Sequence, residues 1–330
     1  MSHHHTIEAG QVEEAPLGVV VGVDGSEQSV AAAVWAQREA GCRQEPLTLV
    51  TAYTAPAVWG YGMEGVSPVL DDERISGGLQ ALLEEVAGRL DQDGVKPALR
   101  VETGDPVRVL LDLSAHATLL VVGARSREGF IGRLLGSVAS ALPGHARCPV
   151  AIVPSGGETT RAHRGGPVVV GVDGSEQARA AALAAAEEAH LRGAPLRMIT
   201  ALPPLGANAV WLGLTVDEEA RAQEIAARLD AGARWLQDVV PGLEVSTEVL
   251  NGSPVEVMAS ETRAARLAVI GTRGMGGVAG ALMGSTSRSV AEHLHGPLLV
   301  VPYREDERLA RRRDFGPVAE QEPPRGVSMA

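Results

Sequence analysis

The chain alternates short, unbroken apolar runs with longer stretches of helical period. Leu17–Val23 is an apolar run rich in valine with no polar face, which predicts a strand buried on both sides. Gly25 and Ser26 turn the chain, and Ser29–Cys42 follows as an Ala-rich helix that stops near Gly41. Leu47–Tyr53 predicts a second buried strand. After an excursion over Thr54–Asp72, Glu73–Gln92 carries Leu79, Leu82, Leu83, Val86 and Leu90 at helical spacing. Leu99–Glu102 predicts a strand, Pro106–His116 a helix opened by proline, and Leu119–Val122 a strand ending at Gly123. A loop, a helix over Ser137–His145 and a last strand at Val150–Val153 complete this half.

The same order then recurs. Strands are predicted at Val168–Val172, Leu196–Thr200, Leu243–Val249, Leu267–Ile270 and Leu298–Val301. Helices are predicted at Ala178–Arg192, Asp217–Val239, Pro254–Ala264 and Ser285–His295. The recurrence is literal at its start: Val19–Gln28 reads VVVGVDGSEQ, and so does Val168–Gln177, a shift of 149 positions (168 − 19). GDPVRVL from Gly104 answers GSPVEVM from Gly252, and CPVAIVP answers GPLLVVP. A duplicated domain accounts for one period running through both halves.

Strands alternating with helices predict an α/β fold of two tandem doubly wound, Rossmann-like parallel sheets of five strands each. The expected division is a leader over 1–16, a first domain over 17–154, a polar linker over 155–166, a second domain over 167–302 and a charged, Pro-rich tail over 303–330. The tail is expected to be solvated, with a short helix near Glu305–Arg313 and a basic run at Arg311–Arg313. An unpaired last strand would be an exposed edge, so the two copies are expected to pack as a pseudo-two-fold pair within the chain. The sequence leaves open a further homodimer.

Composition narrows the partners. The 330 residues carry a formal net charge of −12, which argues against nucleic acid, since phosphate backbones need a basic face. No apolar run approaches the ~20 residues that span a bilayer, and 1–16 lacks a signal-peptide core, so the expectation is a cytoplasmic protein. Cys42 and Cys148 have no cysteine at the matching position of the other copy and read as reduced thiols. His3, His4 and His5 in the leader read as solvated.

Candidate chemistry lies at predicted C-terminal strand ends, where doubly wound sheets hold ligands. In the second copy Gly271-Thr-Arg-Gly274 follows a strand, and nine residues later Gly284-Ser285-Thr286 opens a helix. Gly271 and Gly274 can take positive φ and let backbone amides approach a phosphate without a Cβ in the way. The helix opened by Gly284 and Ser285 offers free N–H groups and a favourable dipole to an anion. Two amide-rich stretches so spaced can cradle one triphosphate.

Gly-x2-Gly-x9-Gly-Ser after a strand, paired with an early Val-Asp-Gly-Ser, resembles the ATP-binding class of the universal stress proteins in its tandem form. The resemblance covers roughly Leu17–Pro154 and Pro167–Pro302. It implies strand order 3-2-1-4-5, ATP under the carboxyl strand ends, and pairing of domains through the last strand. Gly22 and Asp24, with Gly171 and Asp173, match first-strand residues near the adenosine and a phosphate-bound Mg. Gly271 through Gly277, with Arg273 and Gly274, match the ribose and phosphate loop, and Gly284, Ser285 and Thr286 the second phosphate cradle. The first-copy equivalents are Gly123 through Gly129, with Arg125 and Ser126, then Gly136, Ser137 and Val138. Ser126 stands where the second copy has Gly274, which favours the second site.

No GxxxxGK[ST] or pyrophosphatase-type Ser-Gly-Gly-x-Asp-Ser pattern occurs, and a GxGxxA over Gly274–Ala279 lacks the acidic partner of a dinucleotide fold. His116, His145, His293 and His295 pair with no recognisable nucleophile. Asp24 and Asp173 read equally as turn formers before glycine until the resemblance is weighed. Trp59, Tyr61 and Trp211, in the excursions after each second strand, are read as packing on their own domains, with a nucleotide cap or a protein contact as the alternative. The expected function is a nucleotide-responsive regulator in stress or dormancy physiology. A slow ATP hydrolase or nucleotide-transfer enzyme using the same sites is the alternative, and a structural protein with vestigial sites the third.

Overall fold

The computed structural model describes residues 17–54, 72–124, 135–154, 165–204, 217–274 and 283–310. The leader, Trp59, Tyr61, Arg125, Ser126, Gly129, Trp211, Gly277 and Arg311–Arg313 lie outside the described residues. The first half runs β1 (Gly18–Gly22), α1 (Glu27–Arg43), β2 (Leu47–Tyr53), α2 (Asp72–Gly88), β3 (Pro97–Thr103), α3 (Pro106–Leu113), β4 (Ala117–Gly123), α4 (Ser137–His145) and β5 (Val150–Val153). The second runs β6 (Val168–Gly171), α5 (Glu176–Leu191), β7 (Leu196–Leu202), α6 (Glu218–Val239), β8 (Val245–Asn251), α7 (Pro254–Glu261), β9 (Leu267–Gly271), α8 (Ser285–Glu292) and β10 (Leu298–Val301), followed by α9 (Glu307–Ala310). No helix among the described residues is long and apolar enough to cross a membrane.

The strands form one sheet of ten in the order β3-β2-β1-β4-β5-β10-β9-β6-β7-β8. The two expected five-stranded sheets are therefore continuous. Neighbours within each half are parallel, and the seam between β5 and β10 is antiparallel. The seam is self-complementary: Ile152 faces Leu298, Ala151 faces Leu299, and Val150 faces Val300.

Alternate residues of each central strand feed opposite faces. Val19 and Val21 join a core under α1, α2, α5 and α6, while Val20 joins one under α3, α4, α7 and α8. All three valines are fully buried, and such burial stabilises by about 1.5–3 kcal/mol per side chain. Small alanines on α1 and α5, including Ala32, Ala36, Ala181 and Ala185, bring those helices close to the sheet.

Several helices end earlier than periodicity predicts. α3 and α7 stop at Leu113 and Glu261 because Ser114 and Thr262 turn inward. Each hydroxyl donates to a carbonyl three residues back, at 2.6 Å, and accepts the N–H of Arg147 or His295. The described start of the tail is also not simply solvated. Arg308 pairs with Glu187 of α5 at 2.8 Å, and Leu309 packs against the core.

A buried charge cluster joins the halves, and sequence reasoning missed it. Glu39 and Arg43 end α1; Glu188 and Arg192, at the repeat-related positions, end α5. Arg192 bonds Glu39 and Glu188, Arg43 bonds Glu188, and Arg43 Nε lies 3.7 Å from Glu39. The Arg192 and Glu39 side chains are 2% and 8% exposed, so these are not surface pairs. Burial works to lower the Arg192 pKa, yet Glu39 and Glu188 outweigh it and hold the guanidinium above its ordinary range.

Candidate functional site

Each first strand ends in Asp-Gly-Ser, which builds a tight turn into a helix. Gly25 and Gly174 sit at φ 79° and 88°, where a side chain would be strained. Asp24 Oδ1 accepts from Ser26 N at 3.0 Å and from its hydroxyl at 2.5 Å; Asp173 Oδ1 accepts from Ser175 N at 2.9 Å. One oxygen of each carboxylate is thus committed to the turn. Ser26 and Ser175 then cap α1 and α5, accepting from Ser29 N and Ala178 N.

Around the first turn lies a cavity of about 340 Å³ at the carboxyl ends of β1, β2 and β4. Its apolar wall is Val50, Leu79, Leu82, Leu110 and Val122, and its polar rim is Asp24, Ser26, Gln28, Ser29 and Thr51. Gly22, Gly123, Gly136, Ser137 and Val138 line it as well, so the structure brings these expected residues together with Asp24. Leu79, Leu82, Thr51 and Pro106 are members that sequence reasoning missed. Thr51 carried a usable signal, because Thr51-Ala52 recurs as Thr200-Ala201.

The helix starts beside these strand ends are unlike the others. Ser26, Asp105, Ser175, Asp217 and Ser253 each cap their helix with a side-chain oxygen. α4 and α8 begin at Gly136 and Gly284, with no side-chain cap. Their first-turn N–H groups keep the partial positive charge that a capping oxygen would satisfy.

In the second half the two glycine stretches lie side by side. Gly284 N donates to Thr272 O at 2.8 Å, and Ser287 Oγ donates to Gly271 O at 2.8 Å. A Cβ on Gly284 would stand 3.3 Å from Arg273 Cα and 3.7 Å from Gly274 N. Ser285 and Thr286 follow as exposed first-turn residues of α8. Arg273 Nε is buried with no hydrogen-bond partner among the described residues.

The reason for glycine at 271 and 274 differs from the expected one, because neither sits at positive φ. Crowding sets the requirement. A Cβ on Gly271 would meet the Gln177 carbonyl at 3.0 Å, and one on Gly274 would run into the Asp173 carboxylate. Gly123 is crowded likewise by Gln28, at 2.7 Å. Gly22 and Gly171 are crowded on the other face, by Leu110 and Met258.

Three histidines bond within the protein. His145 and His293 bond carbonyls of their own helices, Ala141 O at 3.0 Å and Ser289 O at 2.8 Å, and His295 meets Arg263 at 3.0 Å. No group of three His, Cys, Asp or Glu residues among the described residues gathers as a metal site.

Comparison with known proteins agrees with this architecture. Residues 18–154 and 166–302 each match the Universal stress protein family. A universal stress protein of Mycobacterium tuberculosis (strain ATCC 25618 / H37Rv) is 34% identical over 301 residues, spanning 86% of this chain and 96% of its own length. A second one from that strain is 32% identical over 290 residues, with the same coverage of 86% and 96%. Among solved structures, a universal stress protein from Archaeoglobus fulgidus DSM 4304 superposes with a TM-score of 0.62 at 22% identity, covering 87% of this chain and 98% of that one, a likeness of fold. With a matching unit in each half and relatives that align over nearly their whole length, the chain belongs to the universal stress protein family.

Proposed function

We propose that each half binds ATP and that the protein works as a nucleotide-responsive regulator in stress or dormancy physiology. The observation that carries this reading is the pair of uncapped helix starts, at Gly136 and Gly284, next to the carboxyl strand ends. An anion placed there takes up N–H groups that no side chain satisfies. In the first half the adjoining cavity adds an apolar slot for a flat ring, and its volume lies within the ordinary range of ligand pockets, about 300–1,000 Å³. Ser137, Ser285 and Thr286 are placed to add hydroxyl donors to phosphate oxygens. This reading puts the protein in the cytoplasm, where ATP is supplied.

A Mg ion accompanying the triphosphate fits one carboxylate in each half, Asp24 or Asp173. The remaining ligands would come from phosphate and water, since no group of three His, Cys, Asp or Glu among the described residues gathers as a metal site. The protein's own part is to hold the phosphates with backbone amides and the ring with apolar side chains.

Equilibrium dialysis of the full chain against Mg-ATP tests the proposal. Two nucleotides bound per chain, intact over hours, is the expected result. No uptake at millimolar ATP overturns the proposal, and steady release of ADP replaces it with an ATP hydrolase.

A further inference from the structure

The buried charge cluster between the halves is joined by a continuous helix to each candidate site. α1 starts inside the first cavity: Ser26, Gln28 and Ser29 line it, and Gln28 is wedged against Gly123, where the β4 loop departs. The same helix ends about 22 Å further on, by the rise of an α-helix, in Glu39 and Arg43. α5 repeats this, from Gln177 wedged against Gly271 to Glu188 and Arg192. The last turns of the two helices meet there, and the four charges bond across the pseudo-two-fold. Sliding either helix past the other would strand buried charges without partners, a strongly disfavoured outcome. Both helices are also seated on the sheet through alanines in a close-packed core, which passes displacement on instead of absorbing it.

We propose that α1 and α5 move as one body, so that nucleotide bound in one half changes the affinity of the other. The coupling rests on the nucleotide reading above. A ligand filling the first cavity presses on the first turn of α1; the charge cluster delivers any resulting shift to α5 and through Gln177 to Gly271. By reciprocity the second site acts on the first by the same factor.

Titration calorimetry of the full chain with Mg-ATP tests this, alongside the single-site variants Gly136→Glu and Gly284→Glu. Each site's affinity with its neighbour loaded should differ about fivefold or more from its affinity with the neighbour shut. In the double variant Glu39→Gln with Glu188→Gln, two nucleotides should still bind and the difference should vanish. Equal affinities in both states of the native chain overturn the coupling and leave the nucleotide reading standing, as does a double variant that titrates like the native chain. Absence of any ATP uptake removes both. A second measurement needs no change in the cluster: loading only the first site of Gly284→Glu with Mg-ATP should slow amide hydrogen exchange over residues 186–192 several-fold. Unchanged exchange there overturns the proposal.

Discussion

The two halves share a frame and differ where ligand chemistry would be decided. Both end the first strand in Asp-Gly-Ser, and both open the helix after the fourth strand with an uncapped glycine. Yet Asp24 is exposed and holds both the N–H and the hydroxyl of Ser26. Asp173 is half-buried and lies where a Cβ on Gly274 would collide with it. Serine stands at the matching position of the first half, Ser126. Away from the sites, Gln37 pins the turn between α2 and β3 in the first half, where the second has Ala186. Duplication has kept the Asp-Gly-Ser turn and the uncapped helix start and let the surroundings of the carboxylate diverge.

The strongest way to break the comparison is to spoil one cradle at a time. Gly136→Glu and Gly284→Glu should each remove one bound nucleotide and spare the other. A carboxylate facing phosphate costs several kcal/mol, so the loss at the damaged site should be about 100-fold or more. Equilibrium dialysis stoichiometry reads this directly.

Next comes an exchange at the divergent position. Gly274→Ser places a side chain against Asp173, and overpacking of this kind costs about 1–3 kcal/mol. ATP affinity in the second half should fall about tenfold. The converse Ser126→Gly should move the first half towards the second, read by calorimetry.

Gln37→Ala should lower the stability of the first half by about 2 kcal/mol, because it leaves the Asp91 and Val95 carbonyls without their donor. A denaturant titration checks it, and nucleotide affinity should be unchanged.

The smallest effect concerns the cysteines. Cys148 is buried, and burial pushes its thiol up to about 11; Cys42 is exposed. A thiol raised in the folded state favours folding while protonated, and that contribution is lost as pH rises from the ordinary thiol value, near 9, towards the folded one. Stability should therefore fall by about 1.4 kcal/mol between pH 8 and pH 10 on this account, and Cys148→Ala should flatten that limb of the pH profile. Alkylation at neutral pH should label Cys42 and leave Cys148 until the protein unfolds.

What the sequence makes legible follows from how local each cause is. Val19–Val21 and Val168–Val170 announce strands buried on both faces, because a parallel sheet covered by helices demands apolar residues at every step. The paired Gly-Ser helix openings at 136 and 284 are visible because the same dipeptide recurs at the same place in both copies. The charge cluster is hidden: Glu39, Arg43, Glu188 and Arg192 look like ordinary i,i+4 pairs on solvated helices, and only the meeting of two distant helices buries them. Their recurrence at one fixed spacing is the trace they leave. The role of Gly271 and Gly274 is also misread locally, since the atoms that crowd them belong to Gln177 and Asp173, about a hundred positions earlier in the chain. Leu79 and Leu82 read as core residues of α2, and only the tertiary fold turns them into a cavity wall.

The antiparallel seam between β5 and β10 has a consequence for anything that reads this molecule from outside. Because strand direction reverses there, the carboxyl strand ends of the two halves look out over opposite rims of the sheet. The molecule is two-headed, and anything passed from one set of strand ends to the other must cross the middle of the sheet.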